Sequence, residues 1–243
     1  MTDTAAPHER LIARLRPQGL ADVVVFALAL LWMATIPRQM HSLPINFLAQ
    51  LALTMGIVPL YIVVQARRSK VLSQPQIIES DQLFVNRAIP RWIAFVAVLL
   101  LLHSPAGVDT IHRIGLAGQC VSAVIQVWAS FIYFAPILGT PHQTRTMTHA
   151  HRVFSLFAMM VPETMIGFFI YIQKQPIYSD FLAGQSQRQA LHQQQLAGAL
   201  MWALAMVVDA VWLAIAVQKW FVNEERRGEE FNTAWEAEQE NSV

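Results

Sequence analysis

Charge is what this chain has least of: 14% of its 243 residues are Asp, Glu, Lys or Arg, against 55% hydrophobic. A water-soluble domain carries roughly 25% charged residues to cover its surface. The shortage excludes a soluble enzyme, a disordered regulator and a secreted disulfide scaffold. A single cysteine, Cys120, permits neither an intramolecular disulfide nor a cysteine-only metal cluster. A formal net charge of +1 supplies no basic field for nucleic acid. The sequence has no Walker-type phosphate loop, dinucleotide fingerprint, HExxH or nucleophile elbow. It therefore offers no motif for nucleotide binding or hydrolysis, and no sign of an enzyme.

What is abundant is apolar length. Charges bound membrane spans because a charged side chain at the bilayer centre is costly, and six windows of spanning length lie between them. They are Leu20–Ile36, Leu43–Val64, Trp92–Val108, Ile114–Leu138, Val153–Gln173 and Leu196–Val222, the third short and interrupted by Ser104-Pro105. The pattern predicts an all-α polytopic bundle of about six transmembrane helices. Residues 20–222 form one membrane domain, between a basic segment (1–19) and an acidic tail (223–243). On one side this topology leaves Arg38, Arg113, Lys174 and Arg188; the other 13 of the 17 basic residues fall opposite. The positive-inside rule then places both termini in the cytoplasm. No small-x-small cleavage site precedes Pro37, so the first span reads as an uncleaved signal anchor. The tail, with seven Glu, two Arg and no apolar period, reads as a helix end fraying into disorder.

Polar residues inside such a bundle carry the functional argument. One set is expected at the outer face: Met40 and His41, His103, His112, and His192 beside Gln193, Gln194 and Gln195. Imidazole and thioether are soft ligands suited to Cu(I), although none of the spacings is a local ligand motif, and the simpler reading is that each His is solvated or caps a helix end. A second set is Glu163 and Asp209, intramembrane carboxyls on consecutive helices. They mark a proton or ion path, or, more simply, share a proton and accept hydrogen bonds between helices. A third set, His142, His149 and His151, lies on a basic loop that suits contact with anionic headgroups better than metal. Only His103 sits within a span, so a pair of axial ligands for haem is not expected. The apolar pairs of the 66–91 loop suit the membrane surface or a docking partner.

Several landmarks fall in a familiar order. His103-Ser104-Pro105 matches a His-x-Pro at a span end, and Phe134-Ala135-Pro136-Ile137-Leu138-Gly139 matches a W-P-x-L-G span end. Pro162 and Gly167 precede Pro176-Ile177-Tyr178, and residues Gln194 to Trp202 follow the pattern Q-Q-x-x-G-x-x-M-W. Over residues 103–202, and more loosely 43–222, the chain resembles the CtaG family of bacterial cytochrome c oxidase assembly factors. The resemblance implies a multi-pass inner-membrane protein whose partners are respiratory oxidase subunits and the lipid bilayer, and which helps deliver copper to the catalytic subunit. The implied copper ligands are His103 with Met40, His41, His192 or Met201.

The chain departs from that pattern at its ligands. Asn46 and Gln50 stand where the family has an H-M-x-Q-H-M motif. Gln119 opens the stretch aligned with H-x-x-E-H, and Gln193 replaces an acidic residue. Amides keep hydrogen bonding but bind soft cations poorly. Two readings follow: an assembly factor with a reduced copper site, or a ligand-depleted accessory or scaffold subunit of an oxidase. A copper transporter built on the scattered methionines ranks behind both, since Met in a bundle usually fills gaps.

Overall fold

The computed structural model describes residues 42–70, 78–79, 88–138 and 145–241. The expected first span, Met40, His41, His142 and most of the 66–91 loop lie outside the described residues. The rest is helical: α1 (Leu43–Leu51), a π-helical segment (Ala52–Ile57), α2 (Val58–Lys70), α3 (Ile89–His103), α4 (Pro105–Ile114), α5 (Leu116–Leu138), α6 (His149–Ile172) and α7 (Gln187–Asn241). A two-residue parallel pairing joins β1 (Ile78–Glu79) to β2 (Arg145–Thr146).

Four of these helices are long and apolar enough to cross a membrane, α1 to α2 counting as one, or five if α3 and α4 are taken together. Each coincides with an expected span. The third is interrupted at Ser104-Pro105, as expected, and the break is sharp: α4 turns 67° away from α3. Pro105 cannot donate a backbone N–H and disfavours helix at the residue before it. Ser104 accordingly adopts extended backbone and caps α4, its hydroxyl accepting from Gly107 N at 3.0 Å. Gly107 is required there, since a Cβ would lie 2.0 Å from the Leu101 carbonyl oxygen.

The tail also differs from expectation. α7 runs 55 residues without fraying before Asn241. At 1.5 Å per residue it extends about 80 Å, against about 30 Å of hydrocarbon, so the acidic part projects well beyond the bundle. Helix nucleation is the costly step, and here the membrane part has already supplied it. Glu, Ala and Arg then propagate the helix, aided by Arg226–Glu230 and Arg227–Glu224 pairs on its surface.

The bundle is apolar outside, and its hydrophobic core encloses a smaller set of buried polar side chains. Leu101, Val121, Trp128, Phe157 and Val207 point outward, while Ser130, Gln194, Glu163, Asp209 and Gln126 are all at most 4% exposed. α6 and α7 make the closest crossing. A Cβ on Gly198 would meet Gly167 O and Tyr171 N at 2.7 Å, so the backbones touch as small-residue interfaces in membranes allow.

Proline also shapes the second span. In a π-helix Pro59 would donate to Thr54 O, and in an α-helix to Met55 O; having no N–H, it does neither. Side chains from two other helices replace it. Ser130 Oγ on α5 donates to Thr54 O at 2.6 Å, and Trp212 Nε1 on α7 donates to Met55 O at 2.7 Å. Trp212→Phe and Ser130→Ala are expected to destabilise the bundle by about 1–3 kcal/mol each, the cost of an orphaned buried acceptor. Thermal unfolding in detergent checks this, with exposed Trp235→Phe as the unaffected control. In the same assay Gly198→Val should cost about 1–3 kcal/mol or more by forcing α6 from α7.

Candidate functional site

Two polar stripes face each other across α1 and α5. Asn46, Gln50 and Thr54 recur every four residues on the second span. Gln119, Ser122, Gln126, Ser130 and Tyr133 recur every three or four on α5, so each set lies on one helical face. Gln50 Nε2 donates to Asn46 Oδ1, and Gln126 Nε2 donates to both Gln50 Oε1 and Ser122 Oγ, each at 3.0 Å. Thr54 Oγ1 closes back onto Gln50 O at 2.9 Å. Between the stripes is a cavity of about 20 Å³ lined by Asn46, Gln50, Ile111, Gln119, Ser122 and Gln126. The buried oxygens Gln119 Oε1 and Gln126 Oε1 receive no hydrogen bond from the described residues. The space suffices for a single water molecule. The arrangement suits hydrogen-bond donors, whereas amide oxygens are weak ligands for a soft metal.

At the end of the bundle nearest this cluster, α4 and the 173–186 segment form a cap. Asp109, buried on α4, accepts from Phe181 N at 3.1 Å and Ser179 Oγ at 3.2 Å, and Arg113 pairs with Asp180 at 2.9 Å. Tyr178 donates its hydroxyl to His103 O at 2.8 Å. Burial, and then the Asp109 carboxylate, push that hydroxyl above its usual range, keeping it a donor. The three glutamines expected as part of a polar site are clamps on this cap. Gln193 Oε1 accepts from Leu43 N at 3.3 Å, Gln194 Oε1 accepts from Ile177 N at 2.7 Å, and Gln195 Nε2 donates to Gln173 O at 3.4 Å.

The expected metal ligands are distributed rather than gathered. His103 ends α3, buried, its Nδ1 donating to Leu99 O at 2.8 Å and its ring edge-on to Phe47 at 4.9 Å. His112 packs on Phe181 at 5.0 Å. His192 is exposed on the first turns of α7, beside Arg188, Gln189 and Gln193 in an open depression. Met201 is buried farther along α7. Among the described residues no three His, Cys, Asp or Glu side chains are grouped so as to hold a metal ion.

Glu163 and Asp209 do meet. They are 1% and 2% exposed, and their carboxyls lie within hydrogen-bonding reach of each other. Among the described residues no other donor reaches either Glu163 oxygen or Asp209 Oδ2. Tyr133 stands in electrostatic reach of both and donates its own hydroxyl to Ser155 O at 2.7 Å.

Thr54, Gln126, Ser130 and Tyr133 went unnoticed as site residues in the sequence. Their signal was the helical spacing of polar residues inside uncharged runs. Asp109 and Tyr178 gave no such signal, since their partners are distant in the chain.

Searches of curated proteins and of solved structures each found no match. The sequence model of one family, described as cytochrome c oxidase caa3 assembly factor (Caa3_CtaG), matches residues 22–223. That match covers the bundle, its cap and α7 up to the start of its acidic projection, and it shows that the chain belongs to the family of cytochrome c oxidase caa3 assembly factors.

Proposed function

We propose that this chain is a multi-pass protein of the bacterial inner membrane, with both termini cytoplasmic, that assists oxidase maturation by holding its client through protein contacts and without catalysis. The observation that carries this reading is the amide cluster. Asn46, Gln50 and Gln119 stand where the family pattern has ligand motifs, and Asn46 and Gln50 are engaged in a hydrogen-bonded network with Gln126 and Ser122. Such a network stiffens the bundle and offers nothing to Cu(I). The apolar outer face, including Trp128, Phe157 and Val207, suits packing against client helices as readily as against lipid.

Copper delivery to the catalytic subunit is the second reading, and one observation favours it. With Nδ1–H committed to Leu99 O, the neutral His103 ring has its lone pair on Nε2, the arrangement of a metal-bound histidine. A site of few soft ligands would also release its cargo readily.

Anaerobic loading of the purified protein with Cu(I), followed by metal counting, separates the two readings. The scaffold reading predicts less than one tenth of a copper per chain, roughly the background of a protein without a soft-ligand set. It also predicts oxidase subunits co-purifying in stoichiometric amount. Stoichiometric copper that disappears in His103→Ala would establish delivery instead.

A further inference from the structure

The buried carboxyl pair has no part in oxidase maturation as proposed above, and it stands on separate observations. Glu163 comes from α6 and Asp209 from α7, each more than nine-tenths buried. Glu163 lies nine residues from the end of α6 at Ile172 and fourteen from its start at His149, which places it about 14 Å from one end and about 21 Å from the other. This is the membrane interior. The titratable groups facing one another there are Glu163, Asp209 and, from α5, Tyr133, all of them acids. The π-helical segment contributes carbonyls and, in the sequence Ala52–Ile57, no titratable side chain. From α3, Phe95 stacks on Tyr133 at 5.2 Å.

Two carboxylates in contact in a low-dielectric interior cannot both be ionised. A single proton resolves the conflict, since it converts the repulsion into an O–H···O⁻ bond shared by the pair. Glu163 and Asp209 have oxygens that receive no other donor from the described residues, so a shared proton is the ligand that fits the pair.

A route to the site is also built in. Asn46 and Gln119 lie in the first turns of α1 and α5, at the capped end of the bundle. From there the side chains of Gln50, Gln126 and Ser122 are bonded to one another, and farther in the hydroxyls of Thr54 and Ser130 donate to the backbone carbonyls of Gln50 and Thr54. The cavity beside them leaves Gln119 Oε1 and Gln126 Oε1 free to accept from one water. Tyr133 is the next residue on that face of α5, and it stands beside both carboxyls. We propose that Glu163 and Asp209 form a proton-binding site within the membrane, holding one proton between them, and that the facing polar stripes of α1 and α5 are the path by which this proton exchanges with water.

The test is infrared difference spectroscopy of the full-length protein in lipid nanodiscs, wild type against Glu163→Gln and Asp209→Asn. Near neutral pH the wild type should show the carbonyl stretch of a protonated carboxylic acid, shifting in D2O and lost in both variants. In Gln126→Leu the band should persist, but its hydrogen–deuterium exchange should slow about tenfold, equivalent to about 1.4 kcal/mol on the barrier. A wild type with carboxylate bands alone at these residues overturns the site, and unchanged exchange in Gln126→Leu overturns the path. If the two isosteric variants do not fold, a hydrophobic carbodiimide gives the same reading on wild-type protein. Its reaction requires a protonated carboxyl in an apolar setting, so modification of Glu163 supports the site and absence of modification there overturns it.

Discussion

Backbone groups inside a bilayer have no water to bond, and each one left unpaired costs several kcal/mol. This constraint organises the bundle around its prolines. Pro59 leaves Thr54 O and Met55 O without a backbone partner, and their replacements come from different helices, Ser130 on α5 and Trp212 on α7. A local defect in one span thereby becomes two long-range ties. The break at Ser104-Pro105 works in the same way. Ser104 Oγ donates to Leu101 O and accepts from Gly107 N, while Tyr178 reaches across to His103 O. The 173–186 segment is seated over the bundle because the kink exposes a carbonyl for it to bind.

The spans were legible because their signal is local. Uncharged length between charges is read directly from the chain, and the described helices fall on the expected spans, α7 overrunning its own at both ends. Pro105 likewise announced the break in the third span, although not its 67° angle, which depends on the cap that receives α4. The tail was misread because seven Glu and no apolar period resemble disorder when taken alone. In the protein that segment continues a helix already nucleated in the membrane. Gln193, Gln194 and Gln195 illustrate the limit of motif reading. Their helix entry was recognisable, but adjacent positions on a helix point about 100° apart, and the three side chains serve three separate clamps.

The polar groups facing one another across α1 and α5 are amides and hydroxyls. Asn46, Gln50 and Gln126 donate and accept within a hydrogen-bonded network that joins the two helices. That chemistry sets the class of ligand the interior can hold. Imidazoles arrayed on two facing helices would offer nitrogen lone pairs to a soft cation. Carboxamides and hydroxyls at that spacing offer a relay of donors and acceptors. His103 is the exception, and its Nδ1 is held by its own helix at Leu99 O.

Stability alone does not account for what remains. A hydrogen bond between membrane helices contributes about 0.6 kcal/mol on average, whereas each buried carboxyl without a donor forfeits considerably more. Leu and Met side chains of similar volume would fill the space around Glu163 and Asp209 at no such cost, and buried charged groups are often replaceable by apolar ones without loss. The Gly167–Gly198 crossing already holds α6 and α7 in backbone contact, so the acidic pair is not needed to join those helices. A pair of acids with open oxygens, beside Tyr133 at the inner end of the polar stripe on α5, is therefore better explained by what it binds than by what it holds together.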